Sequence, residues 1–138
     1  MQRIRKERKE GGIMDENKLS YLVIGAAIET HKNVGPGLLE SAYEYALAYE
    51  CRELGLDVKQ QVPVPFIYKD KKLEVGYRID LLVNDLIIVE IKSIECLQPV
   101  HYAQLLTYLR LSDVKLGLLI NFNCYQLKSN IHRIVNKL

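Results

Sequence analysis

Apolar positions along the chain change period several times, and each change marks an element. Leu19, Leu22, Val23, Ala26, Ala27 and Thr30 recur at i, i+3, i+4 spacing. That spacing predicts an amphipathic helix, with Asp15 or Asn17 available to cap its start. "NVGPG" at 33–37 ends the helix, because Gly and Pro interrupt helical backbone. A second helix is predicted from about Leu38 to Leu54, with Leu39, Ala42, Tyr43, Ala46 and Leu47 on one face and Gly55 as its stop. The period then falls to two. "VKQQVPVPFIYKD" (58–70) reads as a strand that Pro63 and Pro65 confine to an edge or make irregular. "KKLEVGYRIDLLV" and "LIIVEIKS" read as strands joined near Asn84-Asp85. Pro99 suits the first turn of a third helix running to about Leu111. "VKLGLLINF" (114–122) reads as a further strand, and "NIHRIVNKL" (130–138) as a short final strand or helix. The predicted order is ααβββαβ, an α/β fold with a central mixed β-sheet flanked by helices.

Three charges break the apolar hairpin "RIDLLVNDLIIVEIKS" (78–93): Asp80, Glu90 and Lys92. Side chains alternate faces along a strand, so Glu90 and Lys92 project together. Ile79, Leu81 and Val83 can share one apolar face with Ile87, Val89 and Ile91 only if paired residue numbers sum to an even value. The loop is then odd, most simply Asn84-Asp85-Leu86, and Asp80 falls beside Glu90 on the opposite face. A two-residue turn would send Asp80 to the wrong side. Two carboxylates and an ammonium on a half-buried face cost desolvation unless something pairs them. Two arrangements answer that cost: an internal salt bridge from Lys92 to Asp80 or Glu90, or a hard cation held by both carboxylates with Lys92 beside it.

Composition adds limits. The 138 residues suffice for one domain with a real core, and 49% apolar with 26% charged is ordinary for a globular protein. No apolar run approaches the ~20 residues of a membrane span, and no apolar export signal opens the chain, so a cytoplasmic location without membrane contact is expected. Cys51, Cys96 and Cys124 are isolated, which fits reduced thiols rather than a disulfide framework. The net charge of +2 comes from residues 1–13, where five basic residues face two acidic ones; the remainder has 14 basic against 15 acidic. Global charge therefore gives little support for nucleic-acid binding. Residues 1–13 read either as a basic arm or, preferably, as an extension before a natural start at Met14, since Lys9-Glu10-Gly11-Gly12 is encodable by a purine-rich ribosome-binding sequence. Residues 14–138 then form the single domain, and little order is expected before it.

Asp80, nine intervening residues, then Glu90-Ile91-Lys92 on adjacent strands followed by a helix resembles the PD-(D/E)XK nuclease superfamily, with Arg78-Ile79 where that motif has its proline. Gln104 and Tyr108 in "HYAQLLTYL" resemble the QxxxY motif of its RecB-like branch. "GPGLLESAYEYAL", with Gly37, Glu40 and Tyr43, resembles the signature of the compact GxxExxY family, and this likeness runs from Met14 to the end of the chain.

The resemblance implies a restriction-endonuclease-like core and metal-dependent hydrolysis of phosphodiester bonds in nucleic acid, with DNA the expected substrate. Asp80, Glu90 and the Ile91 carbonyl would hold Mg²⁺ or Mn²⁺, Lys92 would stabilise the transition state, and Gln104 and Tyr108 would orient Lys92 or the substrate. Glu40 has two readings: it interacts well with the dipole of its helix, and in related nucleases an acid at this place reaches the metal. Tyr43 is read as a packing or substrate-orienting residue, and His101 as a structural residue that could also face the site. Homodimerisation is an option. Two other functions fit the same pattern: a non-catalytic binding or assembly module, and a small junction-resolving endonuclease.

Overall fold

The computed structural model describes residues 14–138; both readings of residues 1–13 lie outside them. The elements are α1 (Glu16–Val34), α2 (Glu40–Glu53), β1 (Val58–Pro63), β2 (Phe66–Tyr68), β3 (Lys71–Leu73), β4 (Arg78–Val83), β5 (Ile87–Lys92), α3 (Pro99–Ser112), β6 (Leu116–Asn121), a short 3-10 turn at Leu127–Asn130, and β7 (Ile131–Val135). A five-stranded sheet runs β1-β4-β5-β6-β7, with β5 and β6 parallel and the other neighbours antiparallel. Helices cover both faces: α1 and α2 pack on one, α3 on the other. Among the described residues, no helix is long and apolar enough to cross a membrane.

The helices start and stop where local chemistry allows. Asp15 caps α1 by accepting a hydrogen bond from Lys18 N at 2.8 Å. Gly35 (φ 66°) and Gly37 (φ 101°) take the left-handed backbone needed to turn the chain from α1 into α2. The buried face of α1 is the predicted one, with Leu22 partly covered. That of α2 is rotated from expectation: Tyr43, Glu44, Leu47, Ala48 and Cys51 are buried, while Leu39 is 77% exposed. Leu39 stands at the N-cap, ahead of the first helical turn, where the chain is still extended.

Two predicted strands divide. The first breaks at Val64-Pro65, leaving β1 at a sheet edge, as its prolines required. The second breaks at 74–77, with Gly76 at φ 75°. The freed pieces, β2 and β3, form their own hairpin outside the main sheet. "NIHRIVNKL" resolves into β7, paired antiparallel with β6.

The β4–β5 hairpin has the odd loop that the parity argument demands. Leu81 pairs with Val89, Leu82 with Ile88 and Val83 with Ile87, leaving Asn84, Asp85 and Leu86 as the turn. Asn84 and Asp85 adopt left-handed backbone (φ 51° and 54°), which these residue types tolerate best after Gly. One part of the expected face does not form. Leu81 and Val83 join the core under α1 and α2, but Ile79 packs with Leu82, Ile88 and α3. The alternation of β4 breaks at Asp80.

Candidate active site

Continuing the β4–β5 register by one pair sets Asp80 opposite Glu90. Their backbones do not complete the ladder there. Asp80 N–H donates instead to Glu90 Oε1 at 3.1 Å, and Ile91 N–H donates to Asp80 Oδ2 at 2.8 Å. Each carboxylate is thus held by the other strand's backbone. Glu90 is 5% exposed, and Asp80 is half-buried.

Burial pushes the Glu90 carboxyl up to about 8, and the neighbouring Asp80 charge adds to the rise; the Asp80 N–H and Lys92 pull it back only in part. Asp80 is raised as well, by burial and by Glu44, against the opposing effects of the Ile91 N–H, Gln61 and Lys92. Lys92 lies close enough to act on both acids, yet no ion pair within 4 Å joins it to either. The internal salt bridge, one of the two arrangements open to the hairpin, is not formed. Among the described residues Glu90 Oε2 accepts no hydrogen bond, so one oxygen of the deepest carboxylate stays available.

Two helices, α2 and α3, flank this pair. The Glu40 side chain, at the start of α2, accepts from Ser93 N–H at 3.2 Å, just past the end of β5, and its charge also raises Glu90. Among the described residues, no three His, Cys, Asp or Glu side chains are gathered as a metal-holding group, Glu40 with Asp80 and Glu90 included. From α3, Gln104 Nε2 donates to the Tyr108 hydroxyl at 3.1 Å, and burial together with the Glu90 and Asp80 charges raises the tyrosine's pKa. Gln104 and Tyr108 line a groove of about 340 Å³ with Tyr77, Val100, Ala103 and Thr107. The carboxylates border this groove through Tyr108 and do not line it.

Two candidate residues have structural partners instead. His101 Nδ1 accepts from Gln98 N–H at 2.8 Å as half of a capping box for α3, a structural role. Tyr43 is fully buried, stacks on Phe122 with ring centroids 4.5 Å apart, donates to Gly35 O at 2.5 Å and accepts from Leu38 N–H at 3.2 Å. It clamps the glycine turn ahead of α2, and that turn sets where Glu40 stands.

The sequence reading passed over Glu44, Gln60, Gln61 and Asn121. Glu44, only 7% exposed, takes hydrogen bonds from Gln60 Nε2 at 2.9 Å and Gln61 Nε2 at 2.6 Å. A signal existed for it: Glu40 and Glu44 are one helical turn apart and share a face. Asn121, opposite Lys92 on β6, fixes the loop after the site through both Ile94 N–H (3.1 Å) and Ile94 O (2.9 Å). No local pattern marks it or the glutamines, because their roles depend on strand pairing.

No curated protein and no solved structure matches the chain. A family model described as the PD-(D/E)XK nuclease superfamily matches residues 17–134, a span containing every element from α1 into β7 and all of the acidic site. The chain therefore belongs to the PD-(D/E)XK nuclease superfamily.

Proposed function

We propose that the protein is a divalent-metal-dependent nuclease that hydrolyses phosphodiester bonds in DNA, a compact member of the GxxExxY kind whose α3 carries a working QxxxY pair. The observation that carries this reading is the reciprocal hold on Asp80 and Glu90 with Lys92 beside them and no ion pair formed. Two desolvated carboxylates with raised pKa values are poorly compensated by the protein alone. Like charges brought together in a half-buried site favour either a proton or a cation between them. Carboxylate and carbonyl oxygens are the donors that Mg²⁺ and Mn²⁺ prefer. The residues therefore fit such an ion, with Asp80, Glu90 and the Ile91 carbonyl as its protein ligands.

A divalent ion at this place would supply a nucleophilic water near neutral pH and neutralise charge on the phosphodiester. To hold such an ion, Glu90 would have to lose its proton. The Lys92 ammonium, not tied into a salt bridge, is available to stabilise negative charge building on the scissile phosphate. Gln104 and Tyr108, linked to each other on the wall of the α3 groove, orient the substrate backbone beside the acids. Glu40, held on the Ser93 amide, adds negative charge at the rim.

The test is cleavage of single-stranded, double-stranded and branched DNA, and of RNA, with Mg²⁺ or Mn²⁺ against a chelator control. Metal-dependent cleavage that disappears in Lys92→Ala supports the reading. Binding of nucleic acid without cleavage under any metal would establish the non-catalytic module in its place.

A further inference from the structure

β1 and β4 both change sides of the sheet at one point. Along β1, Val58 packs into the core under α1 and α2, while Val62 and then Val64 pack with α3. Along β4, Leu81 and Val83 lie in the first core and Ile79 in the second. Residues two apart on a regular strand share a face, so each strand crosses from one layer to the other. The crossing falls where Gln61 and Asp80 stand opposite each other. That pair is missing from an otherwise continuous register running from Val58↔Val83 to Pro63↔Arg78. Gln61 has φ 52°, a left-handed backbone uncommon for a residue with a Cβ. Backbone outliers of this kind cluster at functional sites, where surrounding contacts hold the strain.

The freed side chain bridges two acids. Gln61 Nε2 lies 2.6 Å from Glu44 Oε1 and 3.2 Å from Asp80 Oδ1, so its two amide protons serve one carboxylate each. Glu44 is anchored from behind: Gln60 Nε2 holds its other oxygen at 2.9 Å, and Arg52 Nη1 in turn holds Gln60 Oε1 at 3.1 Å. The result is a continuous series of hydrogen bonds from α2 through β1 to Asp80. With Oδ1 fixed by Gln61, Oδ2 is left on the Ile91 amide, next to the carbonyl proposed as a ligand.

We infer that Gln61, anchored by Glu44, is a positioning residue for Asp80, and that the layer crossing of β1 and β4 exists to set the Asp80 carboxylate between α2 and α3. This rests on the metal-dependent reading of the same site. Residues that orient a metal ligand commonly change metal affinity or activity 10–100-fold when altered.

The experiment uses the full chain and three variants: Gln61→Asn, Glu44→Ala and the double variant. Mn²⁺ affinity is measured by calorimetry, and the melting temperature is measured without metal. Asn tolerates left-handed backbone better than Gln, but its amide is one methylene too short for the bridge. Gln61→Asn should therefore weaken Mn²⁺ binding about 10–100-fold with an unchanged or higher metal-free melting temperature. A merely structural Gln61 would lower the melting temperature and spare the affinity. The double variant should lose no more affinity than Gln61→Asn alone, because both act through one route. Losses that multiply, or Gln61→Asn binding within about twofold of the unaltered chain, overturn the inference. If Glu44→Ala does not fold, exposed Gln61 still decides the matter. An unaltered chain that binds no Mn²⁺ overturns the metal-dependent reading itself, a result distinct from binding that Gln61→Asn leaves intact.

Discussion

Asp80 and Glu90 interrupt the ladder that should join them: Asp80 N–H points at the Glu90 carboxylate, 3.1 Å away, rather than at a strand carbonyl. Half of this exchange is charge-assisted hydrogen bonding, which favours ionised acids; the other half is burial, which opposes it. Burial wins at Glu90, whose carboxyl is pushed up to about 8. The pair therefore favours a proton or a cation between its carboxylates, and several measurable consequences rest on that.

Glu90→Gln should raise the metal-free melting temperature at pH 8 and sharply weaken Mg²⁺ binding. A carboxyl raised in the folded state keeps its proton while the unfolded chain, with its Glu near 4.5, has lost it. Unfolding then releases a proton, so metal-free stability should fall as pH rises from about 4.5 to about 8 and level off above. The variant should flatten that slope. Melting curves across this range check both claims, and a Glu90→Gln protein less stable than the parent at every pH would contradict them.

Metal binding should release protons at pH 7, because Glu90 is still largely protonated there and must ionise to serve as a ligand. Calorimetric titration with Mn²⁺ in buffers of different ionisation enthalpy measures the number released. Affinity should strengthen from pH 6 to pH 8, and saturating metal should raise the melting temperature. A pH-independent affinity would show that Glu90 is not a ligand.

Lys92→Ala should reduce cleavage by at least about 10²-fold, the scale of losing one preorganised electrostatic contact to the transition state. It should leave Mn²⁺ affinity near the parent value or slightly changed, since Lys92 is not a ligand, and should leave the fold intact by circular dichroism. Loss of metal affinity in parallel with activity would mean that Lys92 helps to build the site rather than act in it.

Tyr43→Phe keeps the stack on Phe122 and removes the hydroxyl shared by Gly35 O and Leu38 N–H. It should cost about 1–2 kcal/mol in stability, read from denaturant midpoints, because two backbone groups lose a partner. Cleavage under conditions where the variant is folded should fall less than about fivefold, far below the Lys92→Ala loss. A loss as large as that of Lys92→Ala would give Tyr43 a role at the substrate.

Deleting residues 1–13 should leave stability and cleavage unchanged. Met14, which would then open the chain, is itself buried in the core under α1 and α2, and every site residue lies beyond it. A weakened affinity for nucleic acid with a shallower salt dependence would instead identify a basic arm on phosphates.

Periodicity, with the glycines and prolines that punctuate it, determined the three helices, the edge or irregular character of the proline-bearing strand, and the odd β4–β5 loop, because side-chain direction along a helix or strand follows from backbone geometry. Parity then put Asp80 beside Glu90 before any contact was known. It failed at Ile79, since it assumes a strand that never changes sides, and β4 changes sides at Asp80. That crossing falls opposite Gln61 of β1, a residue 19 positions away with no local mark of its role. Glu44 was visible as a companion of Glu40, but its burial follows from how α2 rolls onto the sheet. His101 read as a structural residue that could also face the site, and its cap on Gln98 became visible only with the backbone of the α3 start in place. Spacing carries which residues share a face; which faces meet, and where a strand leaves one layer for another, is settled by contacts between segments far apart in the chain.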